Sequence, residues 1–279
     1  MNRNQFTIPF LLLIIILSQC RERVQEKLPL HGRIVAIEAG HEPPLPDQPC
    51  HTNGGGAGTS SFSGAVELLY SGNTLACPNG AIPEHALNED IARKLQKLIE
   101  SAGGKTVWTR IEEIEPTPEG RMSNLKARAE RANQAKADVL IDIHANAGPS
   151  PDDSGYLLIV HCTGVDSIHE GNTPFNLESS ECDPDRGTRK FKKSLELATK
   201  IDNRLSQLTY NGGQISKKRD MYGADFWLPG TAAMPTVLVE VGFMTNKHDM
   251  DLLAEEGYRQ MVAQALYRAV LDYFESEKG

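Results

Sequence analysis

The sequence predicts an α/β fold, a three-layer domain with a central twisted, mostly parallel sheet flanked by helices. Two observations carry this. Short β-branched runs alternate with longer stretches of helical apolar period from about residue 32 to 276. The chain has 279 residues with 39% hydrophobic content, enough material for one large core.

The elements follow in order. Arg33 to Glu38 is a short strand pattern closed by Ala39-Gly40. Residues 43–81 are rich in Gly, Pro, Ser and Asn and read as a long loop or small hairpin. Pro83 is suited to open a helix, because its missing N–H would be an orphan there. Leu87, Ile91, Leu95, Leu98 and Ile99 then lie on one helical face, and Gly103-Gly104 ends it. Lys105 to Thr109 predicts a strand, and Arg121 to Lys136 a helix with Leu125, Ala129 and Ala132 in phase. Two strands follow, Asp138 to His144 and Gly155 to His161. A polar, acidic insertion occupies residues 162–187. Lys190 to Leu208 is helical, with Leu195, Ala198, Ile201 and Leu205 on one stripe. Thr236 to Val241 is a strongly apolar strand, and Tyr258 to Phe274 closes the chain as an amphipathic helix. In such a domain, sites lie beyond the carboxyl ends of the strands.

The first twenty residues stand apart. Arg3 precedes the apolar run Phe10 to Leu17, too short to span a bilayer as a stable helix, so residues 1–20 read as a signal peptide. Leu17-Ser18-Gln19-Cys20 resembles a bacterial lipobox, although Gln19 stands where a small residue is usual. This implies an exported, periplasmic or cell-envelope protein, membrane-tethered through a lipidated Cys20, with an ordinary cleaved signal or an uncleaved anchor as the alternatives. Residues 21–31 form a charged tether, and 32–276 the folded domain. The formal net charge is −8, and removing residues 1–20 takes away one arginine and no acid. An acidic chain is a poor partner for nucleic acid, whose binding rests on phosphate neutralisation by Lys and Arg. Besides Cys20, the chain has Cys50, Cys77, Cys162 and Cys182, an even number that suggests disulfides in an exported protein. Proximity favours Cys50 with Cys77 and Cys162 with Cys182, but three connectivities are open, as is a set of free buried thiols.

Several predicted element ends carry side chains fit for metal or acid–base work: His41 after the first strand, His144 at the end of its strand and Glu240 within the last. Glu84, in the first turn of its helix, can face the same edge. Two imidazoles and a carboxylate are a common ligand set for catalytic zinc, with the fourth position left to water. A further carboxylate would move the water's proton to a leaving nitrogen. Glu240 stands out because an acid in so apolar a strand costs several kcal/mol unless paired, metal-bound or functional.

Context residues carry a resemblance. Gly40-His41, Glu84 with Asn88, Thr109-Arg110, Leu125 with Arg128, Ala132-Asn133, Ala137-Asp138, Ile143-His144-Ala145-Asn146-Ala147 and the segment from Met234 to Phe243 occur in family order. They resemble the zinc-dependent amidase-3 family of N-acetylmuramoyl-L-alanine amidases. The resemblance implies a phosphorylase/hydrolase-like domain in which His41, Glu84 and His144 bind Zn2+ and Glu240 is general base and acid. It implies peptidoglycan as substrate, cut between N-acetylmuramic acid and the L-alanine of the stem peptide. Glu38 stands where the family usually has an aspartate, Glu42 follows His41 in place of a glycine, and the interval from His41 to Glu84 exceeds the usual gap. His85 adjoins Glu84, and Asn88 one turn later favours Glu84 as the ligand. Arg110 and Arg128 either line the substrate groove or pair within a structural network. The segment between Cys162 and Cys182 is either a lid over the groove or an inert surface loop. Two other functions share these features: a non-catalytic wall-binding lipoprotein with the same fold, and a zinc peptidase acting within the stem peptide.

Overall fold

The computed structural model describes residues 28–41, 82–110, 118–147, 150–162, 187–210, 213–214 and 221–278. The first 27 residues, the insertion between His41 and Glu84 and most of the insertion at 162–187 lie outside them, as do Cys20, Cys50, Cys77 and Cys182.

One six-stranded sheet organises the chain. Its strands are β1 (Ile34–Ala39), β2 (Lys105–Trp108), β3 (Val139–Asn146), β4 (Leu157–His161), β7 (Tyr222–Ala224) and β8 (Thr236–Phe243), in spatial order β2-β1-β3-β8-β4-β7. A separate two-stranded ribbon joins β5 (Thr209–Tyr210) to β6 (Gly213–Gln214). The strands β2, β1, β3 and β8 run parallel, whereas β4 is antiparallel to β8 and parallel to β7.

Helices cover both faces. On one side α1 (Glu84–Ser101), α3 (Arg189–Leu205) and α6 (Glu256–Ser276) bury the larger core, with Val35, Ile37, Ile141, Ile143, Val237 and Val239 of the sheet. On the other side α2 (Pro118–Gln134) and α4 (Trp227–Thr231) enclose a smaller cluster that includes Ala36, Leu140 and Met234. A further helix, α5 (Lys247–Ala254), follows β8. Burial on both faces explains why the strands read as continuous apolar runs. Among the described residues no helix is long and apolar enough to cross a membrane.

The expected elements are present, with shifted ends. Pro83 is the N-cap of α1 in extended conformation, so Glu84 becomes the first helical residue. The stripe Leu87, Ile91, Leu95 and Ile99 is fully buried. Gly103 adopts the left-handed conformation (φ 83°) that ends α1. There the Gly103 amide donates to Glu100 O and the Gly104 amide to Ile99 O, each at 3.0 Å, a Schellman closure that satisfies two orphan carbonyls. Five elements had no sequence expectation: β5, β6, β7, α4 and α5.

Candidate active site and metal centre

The period of two along a strand decides what reaches the site. In β3, alternate residues Val139, Ile141 and Ile143 enter the larger core, which leaves Leu140, Asp142 and His144 on the opposite face. Parallel pairing then aligns Glu38 with Asp142, and His144 with Glu240. A register shift between His144 and Asn146 bulges the β3–β8 pair at its carboxyl end, where such irregularities re-aim side chains.

Beyond β1 the chain turns sharply. Gly40 donates its amide to Ile143 O at 2.8 Å, and His41 takes a left-handed conformation, φ 63°. A Cβ on Gly40 would lie 2.2 Å from Cε1 of His144, so only glycine lets that ring sit there. The rings of His41 and His144 meet edge to face, with centroids 4.9 Å apart.

Glu84 joins them. Its Oε2 lies 2.9 Å from Nε2 of His41 and its Oε1 3.3 Å from Nδ1 of His144. Asn88, one turn later, donates from Nδ2 to Gly40 O at 3.1 Å and to Glu84 Oε1 at 3.2 Å, while the Ala145 amide donates to the same oxygen at 3.0 Å. His41, Glu84 and His144 thus offer two nitrogens and an oxygen within 4.8 Å of one another. His85 is buried beside Arg110 and outside this group; burial first, then the Arg110 charge, push its pKa down to about 4.

Electrostatics set the site apart from a plain salt-bridge cluster. Burial resists ionisation of Glu84, but the His41 charge and hydrogen bonds from both imidazoles outweigh it and hold the carboxyl well below the usual range. Burial likewise disfavours a charged His144, and the charge and hydrogen bond of Asp142 overcome it, raising the imidazole well above its ordinary value. Asp142 Oδ1 lies 3.2 Å from Nε2 of His144, close enough for an ion pair though off the line of a good hydrogen bond. Glu240 Oε2 is buried with no hydrogen-bond partner, and burial raises its carboxyl to about 8, His144 opposing and Glu84 and Asp142 adding.

Behind the site lies a second polar layer. Glu38 Oε1 accepts from Arg128, Glu38 Oε2 accepts from Thr109, and Arg128 Nε donates to Asn124 Oδ1 at 2.5 Å. Arg110 pairs with Glu89 Oε2 at 3.1 Å and reaches His85 O at 3.4 Å. Both guanidiniums are buried within this layer.

The sequence model of the N-acetylmuramoyl-L-alanine amidase family matches residues 35–272. The chain belongs to that family. It is 24% identical over 259 residues to the germination-specific N-acetylmuramoyl-L-alanine amidase of Bacillus subtilis, covering 90% of this chain and 84% of that one. It is 27% identical over 206 residues to N-acetylmuramoyl-L-alanine amidase AmiC of Neisseria meningitidis, covering 70% and 48%. Among solved structures, the CwlD amidase of Clostridioides difficile, in complex with the GerS lipoprotein, superposes with a TM-score of 0.59 at 20% identity, over 88% of this chain and all (100%) of that one. Amidase AmiC2 of Nostoc punctiforme gives 0.57 at 20% identity, over 88% and 99%. This amidase is therefore a hydrolase of amide bonds, from a family that acts on the peptidoglycan of the cell wall.

The structure brings together His41, Glu84, His144 and Glu240, the four residues singled out in the sequence. Sequence reasoning passed over Asp142 and noted Glu38 only as a departure from the family's usual aspartate. The signal was available, since Asp142 is an acid inside an apolar strand just as Glu240 is, two residues before His144 and so on its face. Cys162 is buried and disulfide-bonded, and its partner lies outside the described residues.

Proposed function

We propose that this amidase is an exported zinc enzyme that hydrolyses the bond between N-acetylmuramic acid and the L-alanine of the peptidoglycan stem peptide. The observation that carries the reading is the donor set of His41, Glu84 and His144 within 4.8 Å beside the buried, unpartnered oxygen of Glu240. The residues fit the ion: two imidazoles and a carboxylate suit catalytic zinc, and the acids Glu84, Asp142 and Glu240 concentrate negative charge that a divalent cation neutralises. Bound there, Zn2+ would polarise the scissile carbonyl and acidify a water molecule.

The chain's own residues supply the rest. Glu84 is fixed by Asn88 and the Ala145 amide, so its carboxylate is oriented before any ligand arrives. Asp142 orients the His144 ring. Glu240 stands in register with His144 and takes the proton of the attacking water, then hands it to the leaving amide nitrogen. Burial raises its pKa in the metal-free site, and a bound dication would lower it and leave the carboxylate able to accept that proton.

Export rests on residues 1–20, and membrane tethering on the lipobox-like Leu17 to Cys20. The likeness to the CwlD amidase, solved with a lipoprotein bound, supports a protein partner for this chain as well.

Digestion of whole peptidoglycan by the purified chain tests the reading. Mass spectrometry is expected to find intact stem peptides beginning at L-alanine, and none after chelation. Glu240→Gln should lower release by about 10²–10⁴-fold while retaining fold and zinc. Fragments cut inside the stem peptide would make the enzyme a zinc peptidase, and full activity of Glu240→Gln would remove Glu240 from the mechanism.

A further inference from the structure

The pole opposite the metal-competent edge carries a feature that hydrolysis does not use. At the amino ends of the strands, the end of α2, the first turn of α3 and the end of α6 enclose a groove of about 740 Å³. Five cations line it, Arg33, Lys136, Arg189, Lys190 and Lys193, against the carboxylates of Asp138 and Glu277. Such a concentration runs against the net charge of −8.

The acids do not use up the cations. Arg33 lies 3.4 Å from Asp138 and 3.7 Å from Glu277, and Lys193 lies 3.6 Å from Glu277 and 2.8 Å from Glu196. Lys190 donates to the carbonyls of Pro229 and Gly230 at 2.6 and 3.0 Å. Lys136 and Arg189 are exposed and pair with no carboxylate among the described residues. Local structure explains the placement of only one of them. Arg189 and Lys190 open α3 with no acid in the first turn, where the helix dipole disfavours positive charge. Lys136 by contrast closes α2 in a left-handed Schellman turn, φ 53°, its amide donating to Asn133 O at 3.0 Å and the Ala137 amide to Ala132 O at 3.2 Å.

The chain enters the fold at this same pole. Leu28 packs beside Gly103, Leu30 donates to Ala102 O at 3.0 Å, and Arg33 leads from there into both β1 and the groove. Only seven residues separate Cys20 from Leu28, and a fully extended chain spans at most about 3.5 Å per residue. An anchor at residue 20 would therefore hold the groove within roughly 30 Å of a bilayer.

We propose that this groove binds the phosphate groups of anionic lipid headgroups, so that the amidase rests on the membrane by its basic pole with the metal-competent edge turned toward the wall. The proposal deepens the exported, anchored reading of the N-terminus and rests on it for the choice of lipid.

The test uses the processed chain from residue 20 carrying Cys20→Ser, so that no acyl chain contributes. It is floated with vesicles of phosphatidylcholine alone, or of phosphatidylcholine and phosphatidylglycerol in equal parts. Binding is expected only to the second and should weaken as salt rises. The double variant Lys136→Gln, Arg189→Gln should bind about thirty-fold more weakly, a factor of about five for each cation lost near the surface. It should melt no lower, because the Arg189 charge opposes the α3 dipole, and should hydrolyse soluble wall fragments at the unchanged rate. Equal binding to both vesicles, or full binding by the double variant, overturns the proposal. So does a groove that takes inorganic phosphate, read as protection of Lys136 from acylation, while phosphatidylglycerol vesicles fail to bind. The mass of the N-terminal peptide from native envelopes tests the anchor separately: an unmodified terminus with lipid binding intact removes the anchor and keeps the groove.

Discussion

Asp142 has the simplest consequence among single residues. A ligating histidine is held in its productive tautomer by what its other nitrogen meets, and Nε2 of His144 meets Asp142 at 3.2 Å. Asp142→Asn is expected to lower zinc affinity by about 10–100-fold in competition with a chromogenic chelator. Unchanged affinity would reduce Asp142 to a bystander. Arg128 tests the layer behind. Arg128→Met leaves Glu38 buried without its guanidinium, and a denaturant titration should show a loss of about 3–5 kcal/mol. Glu38 itself titrates unusually: burial raises its pKa from 4.5 to about 7, with Arg128 opposing and Asp142 adding. The folded state then holds that proton more tightly than the unfolded chain does. The stability it lends is complete below about pH 4.5 and is lost as pH rises toward about 7. Glu38→Gln, which mimics the neutral acid, should flatten that decline in metal-free protein. At this scale the sequence was legible where a residue contradicted its surroundings. Glu240 is conspicuous in an apolar strand; Glu38 and Asp142 are equally so, but their meaning depends on cross-strand register, which one strand does not encode.

Among elements, the junction after β1 is the most exacting. Gly40→Ala would place a methyl group 2.2 Å from the His144 ring, with backbone on one side and a ligand on the other. Metal content measured by atomic emission should fall at least about tenfold, with an overpacking cost of about 1–3 kcal/mol in stability. Wild-type zinc content in that variant would show that the ring relaxes freely. The strands and long helices were readable because each buries a periodic apolar face, as Leu87, Ile91, Leu95 and Ile99 do in α1. The direction of β4 was not. A strand covered on both faces has the same composition whether it runs with or against its neighbour. The short elements β7, α4 and α5 take their form from tertiary contacts: Tyr222 and Ala224 pack with Leu157 and Leu238, and Leu228 with Met234. No periodicity fits in so few residues.

Across the whole molecule, the three candidate metal donors come from the end of β1, the start of α1 and the end of β3. An ion held by all three binds the folded chain and not the unfolded one, so zinc at a thousandfold excess over its dissociation constant should add about 4 kcal/mol. Thermal melts with and without chelator check this, and coincident melts would argue against a shared ion. Among the described residues, several contacts that keep Glu84 in place come from later in the chain. Asn88 ties it to Gly40, Arg259 of α6 grips Asp90 at 2.5 Å, and the Schellman turn fixes the far end of α1. These anchors act on Glu84 from the helix side, so shortening residues 42–81 is expected to leave zinc content unchanged, which metal analysis of such a variant checks.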